Sequence, residues 1–135
     1  MLGPIGKLGK LRIARPTDQL AKVAEQYQRG LGFERLSQFE DHEGFDGVML
    51  GHPQHAWHLE FTHHRGATVG RAPTPDNLLV FYVPDPAQHV KASERMLAAG
   101  FVVVPSYNPY WDRAGTTFED CDGYRVVLQL GEWTS

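Results

Sequence analysis

The chain has 135 residues, enough for one domain or two very small ones, and its 41% hydrophobic and 21% charged residues are typical of a globular protein. A net charge of −3 with scattered basic residues argues against a nucleic-acid partner, and no apolar run approaches the roughly 20 residues that span a bilayer. Cys121 is the only cysteine, which excludes an internal disulfide and predicts a cytoplasmic protein. Nothing around this thiol favours a lowered pKa, so we expect an inert residue in a turn.

The first half of the chain predicts a strand, a helix and three more strands. The helix follows a strand at 11–15, and its buried face is indicated by helical spacing of Leu20, Val23, Ala24 and Tyr27. Thr17 or Asp18 is expected to cap it, and Gly30 or Gly32 to end it. The further strands are predicted at 34–39, 46–51 and 56–63.

The second half repeats this plan. After a strand at 78–83, a second helix is expected to have Asp85 as its cap, Pro86 in its first position, Val90 and Leu97 on its buried stripe, and Gly100 at its end. Strands are predicted at 101–107, 116–120 and 124–130. Asp18 and Asp85 lie 67 positions apart, which indicates an internal duplication.

The predicted fold is therefore α+β, with a βαβββ module written twice in one domain of 1–135. The repeats span about 10–65 and 77–131, and the linker of about 66–76 is rich in Gly and Pro. A lone βαβββ unit leaves its sheet open, so two modules must pair, either within one chain or between chains.

Several motifs resemble those of the vicinal oxygen chelate superfamily, which includes glyoxalase I, bleomycin-resistance proteins and extradiol dioxygenases. They are the helix end YQRGLGFERL, the strand end HLEF, the helix entry VPDPAQ and the closing DCDGYRVVL. The resemblance implies paired curved mixed sheets around a cleft, and a homodimer.

The resemblance also implies four metal-ligand positions, one on each of four strands facing the cleft. They fall on Arg12, Glu60, Leu78 and Val127, the third with an uncertainty of one residue. Only Glu60 is a ligand-forming residue, and a divalent ion of this kind needs at least three protein donors. We therefore expect no metal and no other cofactor.

The stretch WHLEFTHH (57–64) is predicted to form a strand with one apolar and one polar face. Alternation places Trp57, Leu59 and Phe61 towards the helices, and His58 and Glu60 towards the cleft. We expect Arg12 to pair with Glu60, since a carboxylate in a cleft needs a partner. His58 is then a hydrogen-bonded strand residue rather than a ligand, and a metal site made of His52, His55 and His58 is the less favoured alternative.

The second half is expected to supply an apolar wall to the same cleft. Its cleft-facing positions are predicted to be Leu78, Val80, Tyr82, Val127 and Gln129. The loop 106–115, in the middle of the second half, contains Tyr107, Tyr110 and Trp111. Either these rings form a lid that stacks on a ligand, or they pack the loop or a partner subunit onto the sheet.

Two functions remain open from these residues. The first is a metal-independent small-molecule binder, similar to the sequestering, drug-resistance branch of the superfamily, whose pocket contains Arg12, His58, Glu60, Leu78, Tyr82, Trp111, Val127 and Gln129. The alternative is a glyoxalase- or dioxygenase-like enzyme in which Glu60 serves as metal ligand or general base.

Overall fold

Two four-stranded sheets and two helices make up the computed structural model, which describes residues 5 and 9–134. Sheet A and helix α1 come from the first half, in the order β1 (Leu11–Pro16), α1 (Leu20–Leu31), β2 (Glu34–His42), β3 (Phe45–Gly51) and β4 (Trp57–His64). Sheet B and helix α2 come from the second half, as β5 (Leu78–Val83), α2 (Pro86–Ala98), β6 (Val102–Val104), β7 (Gly115–Glu119) and β8 (Arg125–Leu130). The predicted α+β duplication is confirmed. Neither helix is long and apolar enough to cross a membrane.

Both sheets have the same topology. In each of them the first strand pairs with the fourth in parallel, and the remaining neighbours are antiparallel, giving the orders β1-β4-β3-β2 and β5-β8-β7-β6. The parallel pair places Arg12 opposite His58 and Ala14 opposite Glu60 in sheet A. In these strand orders, β1 and β5 each stand at one end of their sheet and form open edges.

One shared core holds the two modules together. It contains the helix-facing side chains of both sheets and the inner faces of both helices, among them Val23, Tyr27, Leu50, Leu59, Phe61, Met96, Phe101, Phe118, Val126 and Leu128. The helices contact each other, because Gly30 leaves room for Phe101 and Met96 to pack against α1. Each sheet thus turns one face to this core and its other face away from it.

The first helix ends as predicted but begins differently. Gly32 adopts a left-handed conformation with φ of 71°, which glycine reaches without steric cost. The N-cap residue is Gln19, without a side-chain cap bond, although its amide donates to the Thr17 hydroxyl. The prediction that Thr17 or Asp18 caps the helix was wrong, because no side chain caps it and the Asp18 carboxylate accepts instead from the amides of Val69 and Gly70 in the linker.

The second helix begins as predicted but buries a different face. Asp85 accepts from the amide of Ala87, and Pro86 occupies the first turn. The prediction that Val90 and Leu97 form the buried stripe was wrong, since they are 55% and 53% exposed. The side that packs inward contains Ala92 and Met96, together with His89 and Ser93, whose polar atoms are satisfied locally: His89 Nε2 lies 2.9 Å from the Leu128 carbonyl oxygen, and Ser93 donates to the His89 carbonyl.

A polar junction ties the two modules at the end of the core. The Thr17 hydroxyl donates to Asp122 at 2.6 Å, and the Tyr27 hydroxyl donates to Asp120 at 2.7 Å. Burial raises the pKa of the Asp120 carboxyl above its usual value, against the lowering effect of the Tyr27 hydrogen bond. The Arg15 guanidinium lies over the Tyr124 ring, 4.3 Å from its centroid. These contacts join positions about a hundred residues apart.

Candidate ligand-binding faces

The outer face of sheet A, turned away from the core, contains a compact polar cluster. Arg12 Nε donates to His58 Nε2 at 2.9 Å, and Arg12 Nη1 lies 3.4 Å from Glu60 Oε2. The side chains of Arg12 and Glu60 are 48% and 13% exposed. The predicted pair is therefore present, with the carboxylate largely covered and the guanidinium half open to a ligand.

Strand alternation explains how this cluster arises. Leu59 and Phe61 of β4 are buried in the core, so His58 and Glu60 must emerge on the other face. Parallel pairing then brings Arg12 of β1 directly beside His58. Because Arg12 donates to Nε2, the neutral His58 ring bears its proton on Nδ1. The cluster can accordingly present a fixed cation beside a neutral imidazole, an arrangement that suits an anionic group.

The outer face of sheet B has a different character. Its register pairs Tyr82 with Gln129 and Val80 with Val127 across β5 and β8, and Val127 with Thr117 across β7 and β8. Leu78 stands at the start of this face, opposite Arg125. The side chain of Tyr82 is exposed, but Val127 has no exposed surface at all. A ligand can reach Val127 only if what covers it moves.

The segment 105–114, here named the lid segment, contacts this face of sheet B at both ends of the β7–β8 pair, at Arg125 and at Gly115. Its 3-10 turn, Pro109–Asp112, contacts β7, and the Arg125 guanidinium donates to the Pro105 carbonyl. The Trp111 carbonyl oxygen lies against Gly115, at the place where any larger side chain would stand. Tyr107 and Tyr110 remain exposed. Pro105 also explains why β6 ends at Val104, whereas the sequence predicted a strand through 107.

The two outer faces belong to different sheets, and both sheets turn their apolar sides to the same core. Within the part of the chain that the structure describes, no hydrogen bond or ion pair joins the group of Arg12, His58 and Glu60 to the group of Tyr82, Val127 and Gln129. The expected cleft residues therefore form two separate half-sites, one on each sheet. Sequence reasoning also missed Thr117, which alternation along β7 and β8 could have placed beside Val127.

The donors available to a metal ion are few. Among the described residues, no three His, Cys, Asp or Glu side chains are placed to hold a metal ion. His52 lies near Glu34, and its ring centroid is 5.3 Å from that of His55, which stacks on Trp57 instead of turning towards His58. At the four positions implied by the superfamily, only Glu60 offers a donor, and its carboxylate faces Arg12.

The cysteine lies in the turn between β7 and β8. Cys121 is half-buried, and burial together with the charges of Asp122 and Asp120 raises its pKa to about 11. At neutral pH the thiol is therefore protonated, which is unfavourable for nucleophilic or metal-binding roles.

Comparison with known proteins agrees with this architecture over most of the chain. Models of the YycE-like N-terminal domain and the YycE-like C-terminal domain match residues 11–62 and 76–130. The uncharacterized protein YycE of Bacillus subtilis (strain 168) is 44% identical over 119 residues, covering 88% of this chain and 86% of that protein. The chain belongs to the YycE-like family.

Solved structures place this YycE-like chain among known folds. The crystal structure of a Bacillus subtilis YycE protein of unknown function superposes with a TM-score of 0.87 and 42% identity, over 94% of this chain and 93% of that one. Trypanothione-dependent glyoxalase I of Leishmania major gives 0.69 with 19% identity, over 90% and 85% of the two chains. Fosfomycin resistance protein FosX of Mesorhizobium loti gives 0.68 with 13% identity, over 92% of each chain. The last two likenesses concern the fold, and they confirm the vicinal oxygen chelate architecture.

Proposed function

We propose that this YycE-like protein binds an anionic, aromatic or otherwise apolar small molecule without a metal ion, in the manner of a sequestering or resistance protein. The observation that carries the proposal is the Arg12 guanidinium, half exposed and held by His58 and Glu60 at a position where the superfamily places a metal ligand. A fixed guanidinium supplies the positive charge that a metal would otherwise provide, and it matches carboxylate or phosphonate groups in shape.

The binding cleft is completed by a second copy of the chain. The half-sites lie on different sheets, each of which turns its apolar side to the core, and a second copy can bring the half-site on sheet A of one subunit to the half-site on sheet B of the other. An apolar recess of about 240 Å³, lined by Ile13, Trp57, Leu59, Leu79, Val80 and Phe81, lies where the open edges β1 and β5 approach each other. A two-fold dimer covers that recess, protects both edges and places each outer face A against an outer face B of the partner subunit.

The alternative function, a glyoxalase- or dioxygenase-like enzyme, requires Glu60 as metal ligand or general base. Both roles need the carboxylate to be available to a metal ion or a substrate proton. With Arg12 Nη1 3.4 Å from its oxygen, this carboxylate already has a cationic partner. The pairing favours the binding protein.

Titration with cinnamate, an aromatic acid, tests the anion site. We expect calorimetry to detect binding that falls at least tenfold in Arg12→Leu, whereas uncharged cinnamyl alcohol binds both proteins equally weakly. Lys10→Leu, which removes a neighbouring exposed charge, is the matched control and should leave the affinity unchanged. Equal cinnamate affinity for the wild type and Arg12→Leu would contradict the proposed anion site.

Mixing two defective chains tests the shared cleft. Arg12→Leu damages outer face A, and Tyr82→Ala damages outer face B. If each site uses one face from each subunit, a refolded equimolar mixture contains heterodimers with one intact site, so about a quarter of all sites regain wild-type affinity. A mixture that binds no better than either variant alone would contradict a cleft shared between subunits.

A further inference from the structure

Unsatisfied polar groups are concentrated around the lid segment. Among the described residues, four buried side-chain atoms lack a hydrogen-bond partner, and three of them are Ser106 Oγ, Thr117 Oγ1 and Gln129 Oε1. Thr117 is 1% exposed. Most buried polar groups in folded proteins are paired, so a cluster of unpaired groups requires an explanation.

Two of these groups, Thr117 and Gln129, belong to outer face B. Thr117 stands directly opposite Val127, and Gln129 stands opposite Gly115 on the same pair of strands. The Gln129 side-chain oxygen and the Trp111 carbonyl oxygen both lie against Gly115, which has no side chain to separate them. The lid segment therefore rests on a floor composed of an apolar valine between two hydrogen-bonding side chains.

The attachments of the lid segment are mostly internal. The Ser106 amide donates to the Asp112 carboxylate, and the Tyr110 amide donates to the Asn108 side chain, so the segment holds its own shape. Among the residues that the structure describes, its one side-chain bond to the sheet runs from Arg125 to the Pro105 carbonyl, at 3.2 Å, while its last residue, Ala114, accepts from the Leu130 amide. A segment with this pattern can lift as a unit without losing its internal bonds.

We propose that the lid segment closes over a ligand subsite in which the Thr117 hydroxyl and the Gln129 amide hydrogen-bond a neutral hydroxyl or amide group of the ligand. Val127 and Trp111 would then enclose the apolar ring that bears this group. The inference rests on the proposed function and refines it. The preferred ligand is an elongated aromatic molecule with an acidic group at one end, bound by Arg12 of the partner subunit, and a neutral polar group at the other.

A pair of matched ligands tests this subsite in the wild-type protein. We expect 4-hydroxycinnamate to bind the wild type roughly tenfold more tightly than cinnamate, because a site built to hydrogen-bond a hydroxyl discriminates against the analogue lacking it. Thr117→Val and Gln129→Leu should remove this preference. Thr116→Val, a substitution in the same strand on its other face, should retain it. An absent preference in the wild type, or one that survives both variants, would overturn the inference.

The same titrations separate the two proposals. Arg12→Leu should weaken both acids by the same factor while keeping the preference for the hydroxylated one. Binding of both acids that is sensitive to Arg12 but indifferent to the hydroxyl overturns the subsite alone. Failure of both acids to bind the wild type overturns the subsite together with the proposed function.

The Tm of the ligand-free protein provides a second test of the subsite. If the Thr117 hydroxyl is unpaired under the closed lid segment, then Thr117→Val, which preserves its shape, should raise the Tm by about 2 °C or more. An unchanged or lowered Tm means that the hydroxyl is already satisfied in the closed form, and it would overturn the inference.

Discussion

Arg12 and Glu60 lie on neighbouring parallel strands with Arg12 Nη1 3.4 Å from Glu60 Oε2, on a face of sheet A that is turned away from the core. The two residues are separated by 48 positions in sequence and meet only because β1 pairs with β4. Glu60 is mostly covered and Arg12 half exposed. The covered Glu60 carboxylate therefore has the cationic partner that it needs, and the Arg12 guanidinium remains available to a ligand.

Replacing one or both members of this pair measures their coupling. Arg12→Leu leaves the covered Glu60 carboxylate without its cation, so we expect a loss of about 1–2 kcal/mol in the free energy of unfolding. The half-exposed guanidinium is screened by solvent, and the coupling energy should therefore be about 0.5–1 kcal/mol. Urea denaturation of the two single variants and the double variant Arg12→Leu/Glu60→Leu provides the cycle. Strictly additive losses would show that the residues do not interact.

The junction between modules should depend on a single hydroxyl. Thr17→Val leaves the buried Asp122 oxygen without the donor that stands 2.6 Å away, and we expect a loss of about 2–3 kcal/mol. Thr17→Ser retains the hydroxyl and should lose less than about 1 kcal/mol. Both values can be measured by urea denaturation. Equal losses in the two variants would mean that the methyl group, and not the hydrogen bond, stabilises the junction.

Asp120 should make the stability of the protein depend on pH. Its pKa is raised in the folded state, so the folded protein binds this proton more tightly than the unfolded chain does. The free energy of unfolding of the wild type, relative to Asp120→Asn, should therefore fall as the pH rises above the ordinary value of 3.8. Thermal melts of both proteins between pH 3 and pH 7 measure this difference. A difference that stays constant or grows with pH is incompatible with a raised pKa.

Cys121 should react slowly with thiol reagents. A pKa of about 11, above the ordinary 9.0, reduces the thiolate fraction at pH 8. We expect alkylation by iodoacetamide at least about tenfold slower than in the urea-unfolded chain, where the thiol has its ordinary pKa. The rate is followed by mass spectrometry. Similar rates in the folded and unfolded protein would contradict the environment described for this residue.

The sequence predicted the parts of the fold that depend on local chemistry. Gly32 ends α1 because the left-handed turn favours glycine, and Asp85 caps α2 because its carboxylate accepts from a free amide of the first turn. The alternation of β4 likewise located Glu60 on the face that meets Arg12. Each of these features is specified by residues within one module or by one strand pairing.

What could not be predicted depends on packing between modules. The 67-residue period defines two similar units but does not specify which faces they turn to each other, so the single core shared by both modules was not foreseen. Hydrophobicity alone also misplaced the buried side of α2, where His89 and Ser93 point inward with satisfied polar atoms while Val90 and Leu97 face outward. For the loop 106–115, the sequence left two alternatives open, a lid that stacks on a ligand and packing onto the sheet or a partner subunit.

Metal analysis tests whether the Arg12 charge takes the place of a metal ion. Tag-free wild type and Glu60→Gln are purified without chelator, and their Fe, Mn, Ni and Zn contents are measured by elemental analysis. We predict no stoichiometric metal in the wild type, and any trace of metal should be equal in the two proteins. Stoichiometric metal that disappears in Glu60→Gln would contradict it and identify Glu60 as a metal ligand.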